Sequence, residues 1–118
     1  MQRLWIGLGA LLGCGAVAMA AYAAHGVHDP DAVRIVNAGV QMQGWHALAL
    51  LGTGLWAPRG GRLADAAGCA FAVGIIMFCA AVYSVGITGV SLGVVAPIGG
   101  TLTMIGWLLL AASALRAR

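Results

Sequence analysis

The residues of this chain that could do chemistry are few, and they lie in apolar surroundings. His46 sits in the stretch Gly44-Trp45-His46-Ala47-Leu48-Ala49-Leu50, with Gln43 one helical turn before it. Tyr22 and His25 close an earlier apolar run, Tyr83 and Ser84 close a later one, and Pro97, Gly99, Gly100 and Thr101 open the last. Histidine titrates near neutrality, so His46 could pass protons. With His25, and with Met42 nearby, it could instead ligate a metal or haem. The third possibility is structural: a neutral His46 hydrogen-bonds across helices to Gln43, Tyr22 or Tyr83 and fixes their packing. An ionisable side chain at membrane depth is by default a site candidate.

The surrounding sequence weighs on each option. His25 and His46 come from consecutive helices near one surface with no second pair, which disfavours haem. A proton-coupled transporter usually carries an acid inside the membrane, whereas Asp29, Asp31 and Asp65 all fall between the apolar runs. Cys14, Cys69 and Cys79 lie within the runs and form no CxxC or mixed Cys/His spacing, so no structural zinc site is expected. No nucleophile and base with an acidic orienter can be assembled, so no catalytic residue, cofactor or metal is expected and the chain reads as a non-enzyme.

The elements that position these groups follow from composition. The chain is 62% hydrophobic and 8% charged. A soluble domain of this length would carry roughly a quarter charged residues. Lipid must therefore replace water around most of the surface. Four apolar runs, residues 4–24, 38–57, 66–86 and 97–115, are each close to the roughly 20 residues that cross a hydrocarbon core. They are too long and too unalternating for barrel strands. The expected fold is all-α: a single transmembrane domain over residues 1–118, four transmembrane helices in a compact bundle.

Charge orients it. Arg3, Arg59, Arg62, Arg116 and Arg118 fall on one side of such a bundle, against Arg34 alone on the other. By the positive-inside rule both termini are cytoplasmic, which places the chain as a multi-pass protein of a bacterial inner (plasma) membrane. The net charge of +3 does not mark nucleic-acid binding, because the arginines flank apolar spans and form no basic run. Residues 1–24 imitate a signal peptide, and Leu11-Leu12-Gly13-Cys14 a lipoprotein box. A lipidated cysteine would precede a polar tether, yet the run stays apolar through Ala23, so an uncleaved first span is expected.

The connections carry signals too. Asp29 can cap a helix with Pro30 at its first position, and Asp31, Arg34, Asn37 and Gln41 recur at helical spacing. This predicts a short amphipathic helix between spans one and two, lying at the interface or extending span two outward. Ala57-Pro58-Arg59-Gly60-Gly61-Arg62 reads as a turn built from breakers. Residues 87–96 are apolar enough to dip back or pack on the bundle. Gly9 with Gly13, and Gly99 with Gly100, mark helix-packing faces where small residues let backbones approach.

Placed by depth, the polar groups gather at one end. Tyr22, His25, Gln43, His46, Tyr83, Pro97 and Thr101 all belong to the outer half, while the inner half offers Thr53, Cys69 and interfacial Trp5 and Trp56. The seven outer residues form the candidate polar cluster.

Four motifs along the chain carry a resemblance. Ala23-Ala24-His25-Gly26, Gln43-Gly44-Trp45-His46-Ala47-Leu48-Ala49-Leu50-Leu51, Met77-Phe78-Cys79-Ala80-Ala81-Val82-Tyr83, and Ala96-Pro97-Ile98-Gly99-Gly100 with Gly106-Trp107-Leu108 occur in that order. The chain resembles the domain of unknown function 423 family, small inner-membrane proteins of the YgdD/YwdK type. The resemblance implies a four-span membrane protein without an established activity. Met42 stands where the family commonly has tyrosine, and Cys79 where it has serine. The expected function is a non-enzymatic bundle binding the lipid bilayer and a membrane protein partner, or forming a homo-oligomer. The alternatives are a small channel or transporter, or a metal or redox accessory protein, using the cluster around His46.

Overall fold

The computed structural model describes residues 1–117 and is helical along nearly all of them; Arg118, counted above among the orienting arginines, lies outside the described residues. Three helices, α1 (Gln2–His25), α2 (Pro30–Tyr83) and α3 (Val95–Arg116), account for most of the described residues, with a π-helical turn over Ser84–Thr88 following α2. The stretches Gln2–His25, Pro30–Thr88 and Val95–Arg116 are each long and apolar enough to cross a membrane.

α2 is not one rod. A continuous helix of 54 residues would extend about 81 Å at 1.5 Å per residue. The whole molecule measures 51 Å in its longest dimension. The chain reverses at Gly61, whose φ of 61° and ψ of −144° lie outside the range open to a residue with a Cβ. The expected six-residue turn is thus compressed into one non-helical residue, with Pro58 held inside the helix. The reversal divides α2 into a first limb, residues 30–60, and a second, residues 62–83. The limbs lie side by side, because a Cβ on Gly39 would stand 2.5 Å from the Tyr83 ring.

The separate amphipathic helix is corrected by the structure. Asp29 does cap it, its Oδ2 accepting from the Ala32 amide at 3.0 Å with Pro30 in the first turn. The helix then runs on without a break, because nothing between Asp31 and Gln41 forces one. Of the two expected placements, the outward extension is what forms. At the far end, the π-turn closes at Gly89 with φ of 75°, and Gly93 at 64° redirects the chain into α3. Gly86, the last residue of the expected third span, packs on Val36, whereas residues 87–94 of the apolar connection are exposed.

α1 and α3 each pack on α2 and, among the described residues, do not meet each other. They flank the α2 hairpin, an arrangement more open than a four-helix square. The contacts are backbone-close. A Cβ on Gly9 would sit 2.8 Å from the Ala47 carbonyl oxygen, and one on Gly99 would sit 2.6 Å from the Phe78 amide nitrogen. Gly74 faces Gly99 from the other side, so two glycines meet where α3 crosses the second limb. Gly13 and Gly100 sit farther off, their nearest neighbours at 3.8 Å and 4.0 Å. The core between the helices is built from Trp5, Leu50, Ala67 and Phe71.

The reversal generates a prediction. Gly61→Ala should destabilise the protein by about 1–3 kcal/mol, the strain of a Gly-only conformation. Gly52→Ala, a helical position with open space around it, should stay within about 0.5 kcal/mol of wild type. Unfolding in mixed detergent micelles measures both, and equal responses would show that Gly61 does not hold the hairpin.

Candidate functional site

The polar side chains of the interior are arranged as pairs that tie one helix to the next. Gln43, on the first limb of α2, is 7% exposed and reaches two neighbours. Its Nε2 donates to the Leu12 carbonyl of α1 at 2.9 Å, and its Oε1 accepts from the Tyr83 hydroxyl of the second limb at 2.7 Å. One turn away, the Cys79 thiol donates weakly to the Gly39 carbonyl at 3.6 Å. A single amide therefore joins three helical segments.

His46 belongs to a different junction. It is 2% exposed, turns toward α3, and bonds to none of Gln43, Tyr22 and Tyr83. The Trp107 indole N–H donates to its Nε2 at 3.1 Å, and its Nδ1 lies 2.7 Å from the Met42 carbonyl. An indole can only donate and a carbonyl can only accept. The imidazole therefore carries its proton on Nδ1 and offers its lone pair from Nε2. Phe71 of the second limb completes a three-ring contact, with centroids 5.7 Å from His46 and 5.0 Å from Trp107. Gly106 makes room for it, since a Cβ there would sit 2.7 Å from the Phe71 ring.

Two further links lie at the arginine-rich end. The Trp5 indole donates to Asp65 Oδ1 at 2.9 Å, joining α1 to the start of the second limb, and its ring covers Gly68. The Trp56 indole donates to Ser113 Oγ at 2.9 Å, joining the first limb to α3. Trp5 is covered by neighbouring helices, at 2% exposure. Thr53 and Thr103 return their hydroxyls to carbonyls of their own helices. No buried side-chain nitrogen or oxygen among the described residues is left without a partner.

The seven-residue outer cluster is thus only partly assembled. Gln43 and Tyr83 meet, while His46 is buried among other partners. Tyr22 is 40% exposed, with its ring against Gly26. His25, Pro97 and Thr101 are exposed, and the Thr101 hydroxyl returns to the Pro97 carbonyl. Sequence reasoning missed Trp107, Phe71, Leu12, Asp65 and Ser113 as partners. For Trp107 a signal was present, since a tryptophan in the middle of an apolar helix has an N–H that must be satisfied when buried.

What the arrangement can do chemically is hold helices in register. Both His46 nitrogens are engaged, so ligating a metal would require giving up the Trp107 contact. Among the described residues no three His, Cys, Asp or Glu side chains come together to hold a metal ion.

The comparisons with known proteins agree with a membrane protein. The family described as "Protein of unknown function (DUF423)" matches residues 19–100. A "UPF0382 membrane protein" of Haemophilus influenzae is 31% identical over 122 residues, covering 100% of this chain and 98% of its own. A second, of Staphylococcus epidermidis, is 35% identical over 119 residues, with 98% of each chain covered. The "UPF0382 membrane protein YwdK" of Bacillus subtilis is 31% identical over 121 residues, again with 98% of each covered. No solved structure matches the chain.

The links make a measurable prediction. Trp107→Phe keeps a smaller aromatic ring and deletes the donor, and should lower unfolding stability by about 1 kcal/mol. In a double-mutant cycle with His46→Leu the two changes should couple by a similar amount. Tyr83→Phe should behave alike toward Gln43 and show no coupling to Trp107→Phe. Additive losses for Trp107 and His46 would disprove the link between them.

Proposed function

Since the chain belongs to the DUF423 family, membrane proteins of unknown function, we propose that it is a non-enzymatic helical bundle whose interior polar groups lock the helices and whose outer faces bind lipid or a membrane partner. The observation that carries this reading is the closed pairing of the buried polar side chains. Each interior hydroxyl, amide and ring nitrogen bonds to another helix or returns to its own. A transport route needs polar groups left free to meet solute, and a metal site needs lone pairs left free to coordinate. Here Gln43 and His46 are engaged in separate junctions, which favours neither alternative.

The same reading has the chain cross the bacterial inner membrane four times. The length of α2 against the length of the molecule supports this, as do the limbs lying side by side. On this reading each limb crosses alone, Gly61 turns at the cytoplasmic surface, and both termini lie on that side with Arg3, Arg59, Arg62 and Arg116. The short connections leave little room for a soluble catalytic unit.

Topology and role are tested separately. In a background without native cysteines, His28→Cys and Ser91→Cys should react with an impermeant maleimide in intact cells, and Arg59→Cys only after lysis. Labelling of Arg59→Cys from outside would reverse the orientation. Reaction of 28 and 91 on opposite sides would rule out four crossings. For role, His46→Ala should lower the unfolding temperature in detergent while solute flux and metal content stay at wild-type levels. Unchanged stability with lost flux or metal would replace the structural role of His46 with a functional one.

A further inference from the structure

The first limb of α2 shows a groove on its exposed side. It lies between this limb and α1, has a volume of about 640 Å³, and is almost wholly apolar. Its α1 wall runs from Gly9 to Ala20, about 16 Å at 1.5 Å per residue, close to the depth of one leaflet of a roughly 30 Å core. Gly44 opens its floor, since no atom lies within 4 Å of where a Cβ would stand. Trp45 and Leu48 form its outer rim, both exposed.

A second feature stands at the head of this face. Arg34, Asn37 and Gln41 follow one another at three- and four-residue spacing, and Trp45 and Leu48 continue the row; all five are exposed. Gln41 itself lines the groove. Arg34 stands about 10 Å beyond it along the helix, and is the lone arginine of the first limb before Arg59. Asp29 is occupied capping the Ala32 amide. Asp31 projects about 60° further round the helix, away from the groove. One helix face therefore carries a cation, two amides and an apolar channel, in that order from the interface inward.

We propose that this face holds one anionic phospholipid. Its phosphate sits against Arg34, Asn37 and Gln41 donate to phosphate and ester oxygens, and an acyl chain lies in the groove between α1 and α2. This deepens the reading of the protein as a lipid- or partner-binding bundle and rests on its four-crossing arrangement, which sets Arg34 at headgroup level. Charge complementarity selects the occupant. A guanidinium binds phosphate bidentately, and an acyl chain needs no directional contacts from an apolar groove. A second copy of the chain docked here about an axis along the membrane normal would instead bring two Arg34 side chains to one level, an unfavourable pairing.

The test is native mass spectrometry of the intact protein in detergent, titrated with phosphatidylglycerol and with phosphatidylcholine of the same chains. Wild type should retain one phosphatidylglycerol with about fivefold preference, the selectivity expected of one interfacial arginine. Arg34→Gln should still retain lipid but lose the preference. Gly44→Leu, which fills the groove, should lose retained lipid of both kinds. Both variants should unfold at the wild-type temperature in lipid-free detergent, because Arg34 is exposed and Gly44 faces open space. Equal retention of the two lipids by wild type, an undiminished preference in Arg34→Gln, or a wild-type dimer that Gly44→Leu dissociates would each overturn the proposal. The cysteine map made on the same preparations separates the two readings. A four-crossing map without lipid selectivity removes only the lipid site, whereas a different map removes the arrangement beneath it.

Discussion

Every contact between the two limbs of α2 depends on the reversal at Gly61. With φ near 61° and ψ near −144°, that residue turns a 54-residue helical segment back on itself. Because of it, Gly39 lies beside Tyr83, Gln43 can reach the Tyr83 hydroxyl, and His46 can meet Phe71. The hairpin then offers two flanks, and α1 and α3 take one each. A straight α2 would bring none of these groups together.

Once the limbs are adjacent, two physical requirements shape the interior. Lipid removes the hydrophobic drive for helices to associate, so contact must come from close packing and internal hydrogen bonds. Glycines meet the first requirement at Gly9 against Ala47 and at Gly74 against Gly99, where any side chain would collide with backbone. Side chains of the first limb meet much of the second. Gln43, His46 and Trp56 each bond from this limb to another segment, which makes it the hub of the fold. Tryptophan recurs because its ring fills volume while its single N–H reaches across to a partner.

The same limb faces outward as well as inward, and the two faces differ in kind. Inward, polar groups are paired and rings interlock. Outward, Arg34, Asn37 and Gln41 lead into an apolar groove with an open floor. A face ordered from cation to amide to hydrocarbon matches the order of groups in a phospholipid. This outward ordering, and not the buried histidine, is what the proposed lipid site rests on.

Much was legible in the chain. Nine charges in 118 residues, all outside the long apolar runs, determine a helical membrane protein, because backbone polar groups in lipid must be satisfied within each segment. The capped start at Asp29 and Pro30 and the break among Pro58, Gly60 and Gly61 could also be read locally, since each depends on one residue's backbone preference. Depth along a helix was legible for the same reason: a fixed rise per residue gives the level of Gln43, His46 and Tyr83. What the sequence leaves open is azimuth. Gln43 and His46 lie one turn apart yet point to different neighbours, the first to α1 and the second limb, the second to α3. Tyr22, His25, Pro97 and Thr101 share their general level but face outward. Which side of each helix turns inward is set by how the helices pack against one another, and only the tertiary structure decides that.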